Sequence, residues 1–225
     1  VERIIALEID PYMISILKDR LGRLTNVEII QTDVLKYDFK RVRPESSSRK
    51  LKIIGNVPYN ISSQILFHTL AYRGSIASMV IMFQKEMADR IIAGPGTKTY
   101  GIPSVMAQMY AQIKREIQVP PSCFFPVPEV DSTVLKFIIR EKPWFDIGDE
   151  DIFANVVKAA FAHRRKTLLN NLRNNDLLGR SLPRTFMLLH KVQIDGKRRA
   201  ETLSVEEFGS LSRVLSEILS KQQDE

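Results

Sequence analysis

The chain has 225 residues, of which 44% are hydrophobic and 26% charged, proportions that are ordinary for a globular protein with a sizeable core. This length allows one large domain or two modest ones, and no apolar run approaches the ~20 residues of a membrane span, so no membrane-spanning helix is predicted. The formal net charge of +7 favours a polyanionic partner.

Cysteine and histidine usage argues against disulfide and metal chemistry. Cys123 is the only cysteine, so no internal disulfide can form, and we expect a reducing, cytoplasmic location. It has no neighbour in sequence that would activate it, which favours a structural thiol over a nucleophile. His68, His163 and His190 lack the paired spacing of metal ligands, so no metal site is predicted.

The first two thirds of the chain alternate strands and helices. After a first apolar strand, Asp10 is predicted to cap a helix that has Pro11 at its first position. Repeated strand–helix units predict an α/β fold with a mostly parallel, doubly wound sheet. In chain order the predicted elements are strand 3–9, helix 12–21, strands 27–31 and 51–55, helix 65–72, strand 79–83, helices 85–93 and 102–110, and an antiparallel pair of strands, 111–119 and 133–140.

A tight turn, Asn56-Val57-Pro58-Tyr59, follows the third strand. The Asn56 side-chain oxygen and the Val57 carbonyl can both accept hydrogen bonds from the exocyclic amine of an adenine. Pro58 fixes the turn without adding a donor, and Tyr59 offers a face on which a base can stack. The turn therefore indicates a site that positions an amine nitrogen for attack.

Two carboxylates precede this turn at the ends of earlier strands. Ligands of parallel α/β sheets bind at the carboxyl ends of the strands, where Glu8, Asp33 and Asn56 are all predicted to lie. Glu8 can hold the two hydroxyls of a ribose, while Asp33 accepts from an adenine amine and the apolar neighbours Ile9 and Val34 enclose the ring. Together they indicate a nucleoside cofactor.

Each of these features also has a plain structural interpretation. The segment 56–59 is compatible with an ordinary strand-to-helix turn in which Ser62 or Ser63 caps the next helix. Glu8 is compatible with a solvated strand end, and Asp33 with a turn residue. Their order along the chain favours the cofactor site.

Several motifs in this order resemble the ribosomal RNA adenine dimethyltransferases. They are Ala-Leu-Glu-Ile-Asp, Thr-Asp-Val-Leu, Asn-Val-Pro-Tyr-Asn-Ile-Ser-Ser, Met-Phe-Gln-Lys-Glu-Met-Ala-Asp-Arg, Tyr-Gly-Ile-Pro-Ser-Val and Phe-Phe-Pro-Val-Pro-Glu-Val-Asp-Ser. Residues 159–172 and 199–208 resemble the bacterial small-subunit branch, and the first of these segments disfavours a large-subunit or DNA adenine methyltransferase.

The resemblance implies a Rossmann-like enzyme that uses S-adenosylmethionine to dimethylate N6 of two adjacent adenines near the 3′ end of small-subunit rRNA. The implied partner is rRNA in an immature ribosomal subunit, and we expect the enzyme to act as a monomer. The resemblance also places Phe124, in the proline-rich loop 119–131, on the base face opposite Tyr59, with Phe125 as the alternative. No general base is evident. The reaction does not require one, since a sulfonium methyl is already activated and alignment supplies most of the catalysis.

From about residue 144 the pattern becomes helical, so the predicted domains are 1–143, which is catalytic, and 144–225, which binds RNA. Helices are predicted at 152–171, 186–192 and 205–220, with Ser204 and Glu207 as the capping box of the last.

The positive charge is concentrated in this second part of the chain. Between Lys158 and Arg199 there are eleven Lys or Arg residues and two acids. Such a run is commonly a solvated face, but the resemblance favours RNA phosphate contacts by Arg164, Arg165 and Lys166.

Members of the resembled family carry a further stretch before the position of Val1, with a first strand and a Gly-rich loop for the methionine part of the cofactor. The resemblance therefore implies that this strand is missing here and that the 225 residues alone bind the cofactor poorly and are inactive. A second hypothesis follows, in which the chain is a non-catalytic rRNA-binding factor for ribosome assembly or transcription.

Overall fold

The computed structural model describes residues 2–42, 50–174 and 181–223. Its strands are β1 Ile4–Glu8, β2 Val27–Gln31, β3 Leu51–Asn56, β4 Ile76–Gln84, β5 Ala111–Val119 and β6 Ser132–Ile139. Strands β1 and β2 form a parallel pair, and the other four form a mixed sheet in the order β3-β4-β6-β5. Each strand lies where the sequence predicts one, and the antiparallel pairing of β5 with β6 is confirmed.

The helices of these residues are α1 Pro11–Leu21, α2 Ser62–Ala71, α3 Lys85–Ile92, α4 Ile102–Tyr110, α5 Glu150–Ala160, α6 Leu168–Leu172, α7 Leu182–Lys191 and α8 Val205–Gln223. The predicted cap of α1 is confirmed, because the Asp10 carboxylate accepts from the Tyr12 amide at 2.8 Å. So is the capping box of α8. The Glu207 amide donates to the Ser204 hydroxyl at 3.1 Å, and the Ser204 amide donates to the Glu207 carboxylate at 2.7 Å.

Residues 2–42 contain a βαβ unit in which α1 connects β1 to β2. The two strands pair in parallel from Ile4 opposite Val27 to Glu8 opposite Gln31. The Thr32 amide then donates to the Glu8 carbonyl at 2.8 Å. The carboxyl ends of both strands are therefore adjacent.

The four-stranded sheet forms the centre of the core. Strands β3 and β4 are parallel and joined by α2, whereas β6 runs antiparallel to β4. In the middle of this sheet Phe83 and Phe137 are fully buried, with ring centroids 6.2 Å apart in an edge-to-face arrangement. Helix α2 begins without a serine cap, since the Ser62 hydroxyl instead donates to the Tyr59 carbonyl at 3.0 Å.

An aromatic cluster connects the βαβ unit to α2. The Phe39 ring lies 5.7 Å from His68 and 5.6 Å from Tyr72, measured between centroids. The His68 imidazole also lies 3.0 Å from the Tyr37 carbonyl oxygen. This cluster holds the segment after β2 against the helix that follows β3.

The C-terminal helices pack onto the sheet through α4. The Tyr110 and Phe153 rings meet edge to face at 6.2 Å, and the Trp144 amide donates to the Met109 carbonyl at 2.8 Å. One cluster of buried side chains extends from Leu66 to Leu215 and crosses the predicted boundary at residue 144. The division into domains 1–143 and 144–225 stays a prediction about function, while the packing is continuous.

The predicted helix 152–171 is wrong, because α5 ends at Ala160 and α6 begins only at Leu168. Two side chains that follow the break, Asn171 and Thr167, satisfy backbone groups that a continuous helix would have used. The Asn171 amide donates to the carbonyls of Ala160 at 2.6 Å and His163 at 3.1 Å. Thr167 caps α6. The basic triplet 164–166 therefore lies in a loop.

Candidate functional site

The predicted amine-binding turn lies at the carboxyl end of β3. Asn56 is the last residue of that strand and pairs with Met82 of β4. Pro58 has φ −57°, and the chain then enters a 3₁₀ turn over Tyr59–Ile61. Among the described residues, none bonds to the Asn56 side chain or the Val57 carbonyl. Both predicted acceptors are thus without a partner among the described residues.

The Tyr59 side chain reaches from this turn to another strand. Its hydroxyl oxygen lies 2.6 Å from the hydroxyl oxygen of Ser132, the first residue of β6. Ser132 is completely buried, whereas Tyr59 is partly buried. Sequence reasoning did not identify Ser132, because 73 residues separate it from Tyr59 and only the strand order brings them together.

The two phenylalanines of the loop after β5 differ in environment. Phe124 is partly buried, and its amide donates to the Pro121 carbonyl at 3.1 Å. Phe125 is 99% exposed. The loop rejoins the sheet beside the candidate site, where the Lys85 amide donates to the Asp131 carbonyl at 2.9 Å. This contrast favours Phe124 as the second aromatic platform, which stays a prediction.

A charged cluster lies on α3 near the same edge of the sheet. The Asp89 carboxylate contacts the Lys85 ammonium at 2.7 Å and the Arg115 guanidinium of β5 at 2.5 Å. Burial alone would raise the pKa of Asp89. The hydrogen bond and charge of Lys85, together with Arg115, outweigh that effect and hold the pKa below its ordinary value. The ionised carboxylate therefore fastens α3 to β5.

Glu8 lies at the end of β1, and one of its two carboxylate oxygens is hydrogen-bonded to the backbone. Its Oε1 accepts from the Ile9 amide at 2.7 Å and from the Asp10 amide at 2.9 Å. No described residue bonds to its Oε2, which leaves one oxygen for a further donor. The neighbouring Ile9 side chain is 63% exposed.

Asp33 lies two residues past β2, and one of its carboxylate oxygens is likewise hydrogen-bonded to the backbone. Its Oδ1 accepts from the Leu35 amide at 2.9 Å and so caps the 3₁₀ turn Val34–Lys36. Its Oδ2 has no partner among the described residues. The structural interpretation of Asp33 as a turn residue is therefore correct, but one oxygen remains for a ligand.

These residues fit the adenosine part of a nucleoside cofactor. Two carboxylates at adjacent strand ends each offer one oxygen without a partner, as the hydroxyls and amine of adenosine require. Ile9 and Val34 add apolar surface that is exposed or half-buried beside them. Glu8 and Asp33 come together on one sheet edge, as predicted, whereas Asn56 belongs to the other sheet.

The three basic residues 164–166 differ in their contacts. The Arg164 guanidinium donates to the Glu201 carboxylate at 3.1 Å and to the Lys98 carbonyl. Arg165 and Lys166 are exposed and make no ion pair with any residue that the structure describes. Sequence reasoning missed Lys98 and Glu201 as anchors of this loop.

A cavity of about 320 Å³ lies at the other end of the four-stranded sheet, away from Asn56. Lys40, Lys50, Arg73 and Arg140 contribute its cations. The Arg73 guanidinium lies 4.3 Å from the centroid of the Tyr110 ring. Burial, then the charge of a nearby glutamate, raises the pKa of Tyr110 to about 12, so this phenol stays neutral. The cavity, which Glu141 and Glu150 also line, shares no residue with the Asn56 turn.

Two negative findings apply to the described ranges alone. None of their helices is both long and apolar enough to cross a membrane. Nor do they contain a group of three or more His, Cys, Asp or Glu side chains arranged to hold a metal ion.

Comparison with protein families matches residues 1–217 to the model described as "Ribosomal RNA adenine dimethylase". A relative from Syntrophus aciditrophicus, named "Ribosomal RNA small subunit methyltransferase A", is 50% identical over 94% of this chain and 75% of its own length. A protein of the same name from Alkaliphilus oremlandii is 44% identical over 97% of this chain and 76% of its own.

Solved structures agree with this match. A dimethyladenosine transferase from Plasmodium falciparum superposes with a TM-score of 0.77 and 26% identity, covering 93% of this chain and 80% of the other. The 23S rRNA methyltransferase ErmE superposes with a TM-score of 0.66 over 95% of this chain and 82% of its own, at 21% identity. The second likeness concerns the fold, which is that of Rossmann-like methyltransferases.

Proposed function

The chain belongs to the ribosomal RNA adenine dimethylase family, and from that membership we propose that it transfers methyl groups from S-adenosylmethionine to N6 of two adjacent adenines near the 3′ end of small-subunit rRNA. The observation that carries the proposal is the Asn56–Tyr59 turn, whose two acceptors lie at the end of β3 without a partner among the described residues. We further propose that it acts as a monomer in the cytoplasm, on an immature ribosomal subunit.

The residues at the strand ends would bind the cofactor, the target base or both. Glu8 would accept from the ribose hydroxyls and Asp33 from the cofactor's adenine amine, with Ile9 and Val34 against the ring. S-adenosylmethionine supplies a methyl group on a positively charged sulfur. Asn56 would also face the reacting end of the cofactor, which is why one residue serves both sites.

Catalysis in this proposal is alignment of the target nitrogen. The Asn56 side-chain oxygen and the Val57 carbonyl accept the two N–H groups, which directs the nitrogen lone pair towards the methyl carbon. A nitrogen–carbon bond forms as the sulfur–carbon bond breaks. The amine would release its proton to water, with S-adenosylhomocysteine as the second product. Stacking on Tyr59 and Phe124, worth about 1–3 kcal/mol per base, offsets the cost of extruding the base.

The basic loop supports RNA as the substrate. Arg165 and Lys166 would bind phosphates, while Arg164 contributes its charge and fastens the loop through Glu201 and the Lys98 carbonyl. Removing Lys166 should weaken binding of all RNA sequences alike and lower the salt slope by about 1. The alternative of a non-catalytic rRNA-binding factor loses support, because the relatives are named as methyltransferases.

The test is transfer of labelled methyl groups to immature small subunits by protein expressed from its complete gene. We expect N6,N6-dimethyladenosine at two adjacent positions, identified by mass spectrometry of the digested rRNA. Mature, already methylated subunits are the control substrate. Binding of the rRNA without any transfer would instead support the non-catalytic factor.

A further inference from the structure

The two aromatic platforms of the proposed base pocket share one anchor. Tyr59 belongs to the turn after β3, whereas Phe124 belongs to the loop between β5 and β6. Within the sheet β4 separates β3 from β6. The contact of the Tyr59 hydroxyl with the Ser132 hydroxyl at 2.6 Å spans that gap.

Ser132 also closes the loop that carries Phe124. In the sheet it lies opposite Val119, the last residue of β5, and opposite Gln84, the last residue of β4. Its side chain is completely buried, and Tyr59 is the one described partner of its hydroxyl. One buried residue therefore terminates the Phe124 loop and holds the outer end of the Tyr59 side chain.

We propose that Ser132 is a positioning residue for the target adenine, acting through the Tyr59 ring. The inference rests on the proposed function. A tyrosine held only at its Cβ can swing about χ1, whereas a hydrogen bond at the hydroxyl restricts that swing and fixes where the far end of the ring lies. The restricted ring keeps the base in line with the methyl group, and accurate alignment of this kind supplies much of a transfer rate.

The second methyl transfer depends on this restraint more than the first. An unmodified amine has two N–H groups for the acceptors Asn56 and Val57. After one transfer a single N–H remains, so stacking must fix more of the base orientation. Loss of the Ser132 contact should therefore slow the second step more and let N6-monomethyladenosine accumulate.

The experiment uses protein expressed from its complete gene, with Ser132→Ala, Tyr59→Phe and the double variant. Ser122→Ala, which removes an exposed hydroxyl from the same loop, is the matched control. The measurements are kcat, the KM for immature subunits, the Kd for S-adenosylmethionine and the ratio of monomethyl to dimethyl product. Thermal unfolding of each variant monitors folding.

Each single variant should lose about three- to tenfold in kcat, the range expected for one hydrogen bond, with KM and cofactor Kd within twofold of wild type. The double variant should lose no more than the worse single one, because both changes remove the same contact. The monomethyl fraction should rise in all three and stay unchanged in Ser122→Ala.

Unchanged kcat and product ratio in Ser132→Ala, or losses that add in the double variant, would overturn the inference. If Ser132→Ala does not fold, Tyr59→Phe decides the question, since it retains the ring and removes the same bond. A wild-type protein without any methyl transfer would overturn the proposed function, and this inference with it. An active wild type beside an unaffected Tyr59→Phe would overturn the inference alone.

Discussion

The βαβ unit of residues 2–42 and the four-stranded sheet differ sharply in packing. In the first, Ile14 and Phe39 are the described hydrophobic residues that are buried, and neither belongs to the main core cluster. In the second, β4 alone buries Ile76, Met79, Ile81 and Phe83 almost completely. The proposed cofactor residues Glu8 and Asp33 lie on the thinly packed unit, while Asn56 lies on the other.

Cofactor binding and methyl transfer make different demands on a protein. A cofactor that binds and leaves in every cycle tolerates a unit of modest local stability, which ligand binding then stabilises. A nitrogen that must be aligned with a methyl group needs acceptors on a rigid element. The buried sheet around β4 supplies such an element for Asn56.

The largest expected effect concerns stability, through matched isoleucines in the two sheets. Ile81→Ala in β4, where the side chain is 1% exposed, should lower the free energy of unfolding by about 2–5 kcal/mol. Ile4→Ala in β1, where it is 44% exposed, should cost less than about 1 kcal/mol. Urea denaturation measures both, and equal losses would break the comparison.

Asn56→Ala should abolish detectable methylation while leaving the fold intact. Loss of one positioning hydrogen bond in a closed site costs about 2.7–4 kcal/mol of barrier, by analogy with oxyanion donors. Single-turnover rates on immature subunits are the measurement, with the exposed Asn60→Ala as the control from the same turn. A rate for Asn56→Ala within threefold of wild type would contradict the assignment.

Glu8→Gln and Asp33→Asn should weaken S-adenosylmethionine binding by about 1.5–3 kcal/mol each, the range for hydrogen bonds to charged groups. Both changes retain the oxygen that accepts from the backbone, so the local turns survive. Calorimetric titration of protein expressed from its complete gene is the measurement, with Glu28→Gln as a control on β2. RNA affinity should stay near wild type, and unchanged cofactor affinity in both variants would assign them purely structural roles.

Hydrogen exchange measures directly whether the two sheets differ in local stability. Saturating S-adenosylmethionine, at a hundredfold excess over Kd, stabilises the bound state by about 2.7 kcal/mol. In protein expressed from its complete gene, amides of β1 and β2 should exchange by local opening that the cofactor suppresses, whereas those of β4 and β6 should exchange only through global unfolding and be the slower set with or without cofactor. Equal opening free energies in both sheets, well below the free energy of global unfolding, would show that the two sheets open as one unit.

The smallest effect concerns pH and the capping box of α8. Burial raises the pKa of Glu207, but hydrogen bonds from Arg198 and the Ser204 amide outweigh it and lower the pKa below its ordinary value. Its contribution to stability is therefore complete above the unfolded pKa of about 4.3 and is lost as the pH falls through the folded value. Glu207→Gln should cost about 1 kcal/mol at pH 7 and much less at pH 3, measured by urea denaturation. A pH-independent loss would contradict the ionic role.

Local patterns predicted most of the elements and the position of the Asn56 turn. Periodicity and caps such as Asp10 and Ser204 act within a few residues, so they are legible without the fold. The contact of Ser132 with Tyr59 depends on strand order and has no local pattern. The predicted helix 152–171 failed for a related reason, since the Asn171 side chain caps α5 only after the chain has turned back.

The anchoring of the basic loop has a consequence for substrate choice. Because Arg164 bonds to both the Lys98 carbonyl and Glu201, the cations Arg165 and Lys166 are held on a loop tied at two points to its neighbours. Under the proposed function, such a loop would hold its phosphate contacts at a fixed distance from Asn56. On the proposed contacts, an RNA that presents a phosphate and a target adenine at that distance would satisfy both at once, whereas a short oligonucleotide with the same bases would satisfy one. Selectivity would then reside in the folded shape of the rRNA rather than in its sequence.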